Sequence, residues 1–236
     1  VVKLGDQPAC LVSQDEAFLE PAHPMDPLSA APAAWSIAVR IFDSLLWQSV
    51  HVNLDEFWSI VESARTDAKP THEALVDRLA VLTMDEILDF QMRFDEVQDA
   101  VHRWDVWAAA YLIGGGCSDD SFSDFRAGLV ALGRSWFEKA AQSPDSLADH
   151  PVVIEAAAQG DLDAIFYEDL GIAAGAAYDR HTDGDVDAFY EALEVRMEAV
   201  EQAAGDDMGE DFDFDDDAQM RQRLPRLSAL FLPPAG

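Results

Sequence analysis

Residues 83–101 read Thr83-Met84-Asp85-Glu86-Ile87-Leu88-Asp89-Phe90-Gln91-Met92-Arg93-Phe94-Asp95-Glu96-Val97-Gln98-Asp99-Ala100-Val101, and this stretch decides the fold class. Thr83 followed three residues later by Glu86 is a capping box, in which each side chain satisfies the other's backbone N–H at a helix start. Ile87, Phe90, Phe94, Val97 and Val101 then recur every three or four residues, the spacing of one apolar helix face. Upstream, Asn53 and Glu56 repeat the cap, with Leu54, Phe57, Trp58, Val61 and Ala64 behind it. Between them, Thr71 to Leu82 carries Leu75, Leu79 and Leu82 on one face. No alternating strand pattern interrupts these three helices.

Downstream, Trp104, Trp107, Ala108 and Tyr111 lie at helical spacing in a segment that stops at Gly114-Gly115-Gly116. Glycines there supply the left-handed residue that ends a helix and permit a reversal. Ser118 or Asp119 then caps a helix with Phe122, Phe125, Leu129 and Leu132, closed by Gly133. A short helix holds Trp136 and Phe137, and Ser143-Pro144-Asp145 breaks it. Ile154 to Tyr178 and Val186 to Ala204 read as two further helices, the first weakened by Gly160, Gly171 and Gly175. The expected fold is all-α, a compact multi-helix array with no substantial sheet.

Three regions are expected. Residues 1–52 are Pro-rich and weakly patterned (Pro8, Pro21, Pro24, Pro27, Pro32), an irregular arm read either as an extension or as a mistaken start. Residues 53–204 form the helical domain. Residues 205–236 form an acidic strap and an apolar C-terminal anchor. Ala33 to Leu54, the most lipid-like stretch, is interrupted by Arg40, Asp43, Gln48 and His51, short of the ~20 apolar residues a membrane span needs. Cys10 and Cys117 are too far apart for a metal knuckle, and the N-terminus lacks a secretory pattern, so a reduced cytoplasmic setting is expected.

The 236 residues carry 46 acidic and 15 basic side chains, a formal net charge of −31. Such a field repels nucleic acid and anionic membrane surfaces and leaves cationic partners, metal ions or a saline interior open, with a basic protein as the preferred partner. Oligomeric state is not set by the sequence. Gly205 to Asp217 holds eight carboxylates and no basic residue. Phe212 and Phe214 within that run favour an ordered strap over a free tail, because a purely solvated segment has no use for aromatics. Arg221, Arg223 and Arg226 follow and neutralise part of it.

The densest polar information lies between Trp104 and Arg126. Trp104, Asp105, Trp107, Tyr111, Ser118, Asp119, Asp120 and Arg126 are the candidate binding residues, the acids and Arg126 recognising a polar ligand or partner framed by the aromatics. The bland reading of the same residues is a helix cap with satisfied first-turn donors. No catalytic residue is assigned. Cys117 lacks a histidine partner and faces Asp119 and Asp120, which oppose a thiolate. The glycine triplet is followed by carboxylates rather than lysine, against a phosphate cradle. Asp179, His181, Asp183, Gly184, Asp185 and Asp187 imitate a calcium loop, but its twelfth place is Tyr190 with Glu191 one residue late. No metal or cofactor is expected.

These motifs also resemble a family. Trp104-Asp105, Trp107, Ala109-Ala110-Tyr111, Gly115-Gly116-Cys117-Ser118-Asp119-Asp120, Phe122 and Phe125-Arg126 are similar to the signature of a bacterial domain of unknown function, number 4240. Phe57-Trp58, Ala64-Arg65, Ile87, Phe90, Phe94 and Pro144-Asp145-Ser146-Leu147-Ala148 match it as well, over residues 54–150 closely and through Tyr178 and Thr182 more loosely. Gly128 departs from it, standing where a large aromatic is expected, and Gly116 falls outside the motif's constraint. The resemblance implies a bacterial cytoplasmic domain and no particular reaction.

Three functions follow as expectations. The first is a protein-interaction or regulatory module with a basic partner. The second is a small-molecule hydrolase or transferase using Asp105, Asp119, Asp120 and Arg126 around the glycine turn. The third is a structural domain whose acidity, 31 Asp among the 46 acids with three lysines, is adaptation to salt.

Overall fold

The computed structural model describes residues 52–198 and 207–234. The expectations for Cys10, for the arm before Val52 and for residues 199–206 lie outside the described residues. Helices occupy most of the described residues: α1 (Leu54–Arg65), α2 (Thr71–Leu79), α3 (Met84–Asp99), α4 (Trp104–Gly114), α5 (Asp119–Ala131), α6 (Arg134–Gln142), a 3-10 helix (Pro144–Asp149), α7 (Pro151–Gln159), α8 (Glu168–Gly171), α9 (Ala173–Asp179), α10 (Val186–Glu198), α11 (Asp217–Arg223) and α12 (Pro225–Phe231). Among the described residues there is no strand, and the all-α expectation holds.

Both capping boxes form. Asn53 accepts from Asp55 and Glu56 N–H at 3.0 Å while Glu56 takes the Asn53 N–H at 2.9 Å. Thr83 N–H donates to Glu86 at 2.8 Å, and Thr83 Oγ1 accepts from Glu86 N–H at 3.3 Å. Behind them Phe57, Phe90 and Phe94 meet at ring separations of 5.0–6.4 Å, and Trp58 packs on Phe137 at 5.3 Å. Each such ring buries upwards of ~150 Å², so this cluster anchors α1 to α3 and α6. The α2 helix stops at Leu79, three residues earlier than the leucine spacing suggests, because Thr83 must be extended (ψ 157°) to cap α3.

The segment read as one helix from Ile154 to Tyr178 is three pieces, α7, α8 and α9. Gly160 takes a left-handed conformation (φ 68°) that ends α7, and the connecting loop plunges inward with Ile165 fully buried. Tyr167 N–H then donates to the Asp124 carbonyl at 3.0 Å, fixing the loop on α5. Helical spacing cannot reveal such a break, because the loop is stabilised by its landing site rather than by its own propensity.

The acidic turn between α9 and α10 contains Asp183 (φ 53°) and Gly184 (φ 89°). α10 lies on α3 through Arg196, which pairs with the buried Asp89 and, at 3.1 Å, with Asp85.

His150 caps α7 and supplies a first prediction. Its Nδ1 accepts the Val152 N–H at 3.2 Å, and its ring stands edge-on to Trp136 at 4.7 Å. Burial, with Arg65 and Lys139 nearby, pulls its pKa below the usual 6.5. A lowered histidine pKa means that the unfolded chain takes the proton first, so this stabilisation is complete above pH ~6.5 and is lost as pH falls through the folded value. Urea midpoints measured between pH 8 and 5 should fall more steeply for wild type than for His150→Asn, which keeps a capping oxygen but cannot titrate there. Equal slopes would refute the assignment.

Candidate functional site

The α4 helix begins at Trp104 and ends where Gly115 turns left-handed (φ 63°), and Ser118 then caps α5, its Oγ accepting Ser121 N–H at 3.3 Å. Of the two cap candidates Ser118 is therefore the cap, and Asp119 and Asp120 are exposed in the first turn, where the helix dipole favours them. This reversal brings α4 and α5 side by side. Trp104 stacks on Trp107 (5.4 Å, 8°), and Trp107 stacks on Phe122 (4.7 Å, 10°). Trp107 Nε1–H donates to the Cys117 carbonyl at 3.1 Å, which locks the middle ring to the turn. Arg126 closes the stack, its guanidinium 5.2 Å from the Phe122 centroid.

Arg126 Nη1 lies 3.7 Å from Asp99 and 3.5 Å from the Gln98 carbonyl, and its Nη2 donates to Ser123 at 3.2 Å. Asp95, one turn before Asp99, accepts from Gln91 at 2.8 Å. Burial pushes Asp95 up to about 6, against the pull of the Gln91 amide, with Asp99 adding to the rise and Arg126 offsetting it. A carboxyl raised in the fold stabilises most below its unfolded pKa of 3.8, and that contribution is lost as pH rises through about 6. Asp95→Asn is therefore expected to stabilise the protein by about 2 kcal/mol at pH 7.5 and by little at pH 4. Chemical denaturation at the two pH values checks this, and a destabilised variant at pH 7.5 would contradict it.

The structure thus gathers Trp104, Trp107 and Arg126 on one aromatic stack through Phe122, a residue the sequence analysis treated as core. Tyr111 lies along the same face. Asp105 is elsewhere, bound by Arg103 through two 2.9 Å contacts, with Arg103 also donating to the Ala141 carbonyl at 2.8 Å. Cys117 is half-buried, and burial with Asp124 and Asp119 nearby pushes its thiol up to about 11. At neutral pH it is a thiol and a poor nucleophile.

The aromatic face has an occupant within the chain. Residues 207–216 lie across it, Phe214 meeting Trp104 at 6.1 Å and Tyr111 at 5.5 Å, with Phe212 against Phe214 at 5.1 Å. Trp104 N–H, in a first turn that offers it no intrahelical acceptor, donates to the Met208 carbonyl at 3.0 Å. Tyr111 donates its hydroxyl proton to Asp215, which raises the phenol pKa above its usual 10.0. Arg223 stacks over Phe212 at 4.2 Å and pairs with Glu210 at 3.0 Å. The alternation of Asp and Phe was visible in the sequence. Its landing site was not, since roughly a hundred residues separate the partners.

A second feature escaped the sequence analysis. An open cleft of about 620 Å³ lies at the start of α2, lined among others by Lys69, Thr71, His72, Phe166, Tyr167 and Asp169. His72 stands 3.9 Å from Asp169 there, and Lys69 pairs with Asp77. The folding-back of the loop after Gly160 creates this cleft, so periodicity carried no sign of it. Among the described residues no group of three His, Cys, Asp or Glu side chains is placed to hold a metal ion, and no helix is long and apolar enough to cross a membrane.

Fold and face together define an all-α domain whose helix–glycine–helix turn presents an aromatic stack. The family described as Protein of unknown function (DUF4240) matches residues 53–180, more than half of the chain, and the chain belongs to that family. No curated protein and no solved structure matches it. The match spans α1 to α9, whereas α10, the strap, α11 and α12 follow it in sequence.

Proposed function

We propose that this chain is a protein-interaction or regulatory module of a bacterial cytoplasm, whose ordered acidic surface engages a basic protein partner. One observation carries the reading. Asp211 and Asp213 are exposed on either side of Phe212, while Phe212 and Phe214 pack inward and Asp215 accepts the Tyr111 hydroxyl, so Asp211 and Asp213 are held outward. Pre-ordering charges in this way lowers the entropy cost of binding and gives an electrostatic surface its specificity. The hydrolase or transferase alternative needs Asp105, Asp119, Asp120 and Arg126 to converge. Asp105 is engaged by Arg103, and Arg126 lies against Asp99, Gln98 and Ser123, which supports the interaction reading.

The test is affinity capture from the host at about 0.05 M and about 0.5 M salt, using wild type and Asp211→Asn/Asp213→Asn. A stoichiometric basic protein, retained at low salt and lost both at high salt and with the variant, is the expected result. Capture of the same protein by the variant at undiminished yield would sink the reading.

A further inference from the structure

We propose that residues 207–216 are a cation-closed cover, whose seat on the Trp104–Tyr111 face tightens as ionic strength rises and loosens as it falls. Two opposed forces act on this segment. Its hold on the face is chiefly packing: Phe214 against Trp104 and Tyr111, and Phe212 against Phe214, with the Trp104 N–H bond to Met208 and the Tyr111 bond to Asp215. Against it stands charge. Asp207, Glu210, Asp211, Asp213, Asp215 and Asp216 are brought onto a chain whose formal net charge is −31. Arg223 meets the cover, on Glu210 and Phe212.

Salt discriminates between the two. Repulsion between a carboxylate row and a like-charged body extends over about 30 Å at 0.01 M salt and about 8 Å at 0.15 M, so it collapses as salt is added. Aromatic packing is not screened and is, if anything, strengthened. An ordinary surface ion pair weakens in salt, whereas this contact gains. The opening is also local. Downstream of the cover, α12 is held separately, its Arg226 and Leu227 N–H groups donating to Asp145. Peeling residues 207–216 from α4 therefore leaves the C-terminal helix in place and bares Trp104 and Tyr111.

The Trp104 amide reports the state directly, since its acceptor is the Met208 carbonyl of the cover. Amide exchange of the full chain, followed residue by residue by NMR, is compared at about 0.01 M and about 0.5 M NaCl. Protection at Trp104 should rise at least tenfold with salt, and protection at Leu112, inside α4, by much less. Asp211→Asn/Asp213→Asn should restore Trp104 protection at low salt, and Phe214→Ala should abolish it at both. Protection at Trp104 that ignores salt, or that rises in step with Leu112, would overturn the proposal, the latter because salt would then be stabilising the whole fold.

Discussion

Asp145→Ala is expected to cost about 3 kcal/mol of folding stability. α12 begins with Pro225, which has no N–H, so the helix start presents the N–H groups of Arg226 and Leu227. Asp145, only 8% exposed, accepts both: Arg226 at 3.0 and 3.2 Å and Leu227 at 2.9 Å. A carboxylate receiving backbone N–H groups at a helix start is stabilised by the charge on the bond and by the helix dipole. Alanine would leave two donors without acceptors beside the buried Leu224 and Leu227, and Arg226 would keep only its surface pair with Asp149. Asp145→Asn retains one oxygen and should lose roughly 1 kcal/mol. Urea unfolding of the three proteins orders them wild type, Asn, Ala. Indistinguishable midpoints would show that α12 holds its place without this cap.

Gly128→Ala should cost about 2 kcal/mol or more. A Cβ built on Gly128 falls 1.9 Å from the Ile165 carbonyl oxygen and 2.8 Å from its carbon, and both atoms are backbone. Nothing there can rotate away. The loop would have to lift, drawing fully buried Ile165 out of the core and stretching the Tyr167 N–H bond to Asp124. Gly171, where a Cβ meets nothing within 4 Å, is the matched control. If Gly128→Ala and Gly171→Ala melt alike, the close approach carries no energy. The Ile165 backbone occupies the space that any side chain at 128 would need.

What the sequence discloses and what it conceals divide along chain separation. The Thr83–Glu86 and Asn53–Glu56 boxes, the left-handed stop at Gly115, the Ser118 cap and the apolar stripe from Ile87 to Val101 are local, and each could be read from neighbours within a turn or two. Asp145 was legible as part of a helix break and of the family match but not as a cap, because its partners lie some eighty residues later. The candidate site shows the same division. Trp104, Trp107 and Arg126 come together as their helical spacing and the glycine reversal imply, whereas Asp105 turns to Arg103, an arginine two residues away that the motif did not include. Phe122, the ring that joins the face to Arg126, carries no polar signal and so passed as core, while Phe214 signalled an ordered strap but not the face on which it lands.

The corner between α5 and α6 has a consequence for how the chain tolerates change in length. Arg65 Nε–H donates to the Ala131 carbonyl at 2.8 Å, and Glu62 accepts the Arg134 N–H at 2.9 Å, so one turn of α1 holds the end of one helix and the start of the next. Gly133, left-handed at φ 89°, passes so close that a Cβ would lie 2.4 Å from Arg65 Nη1. The two clasped groups sit three residues apart, a spacing set by the chain and matched by Glu62 and Arg65 on a rigid helix. A single residue inserted between 131 and 134 would carry one end out of reach of its clasp. This corner should therefore reject insertions, and a genetic linker scan would find a boundary at a place marked by neither chemistry nor a ligand.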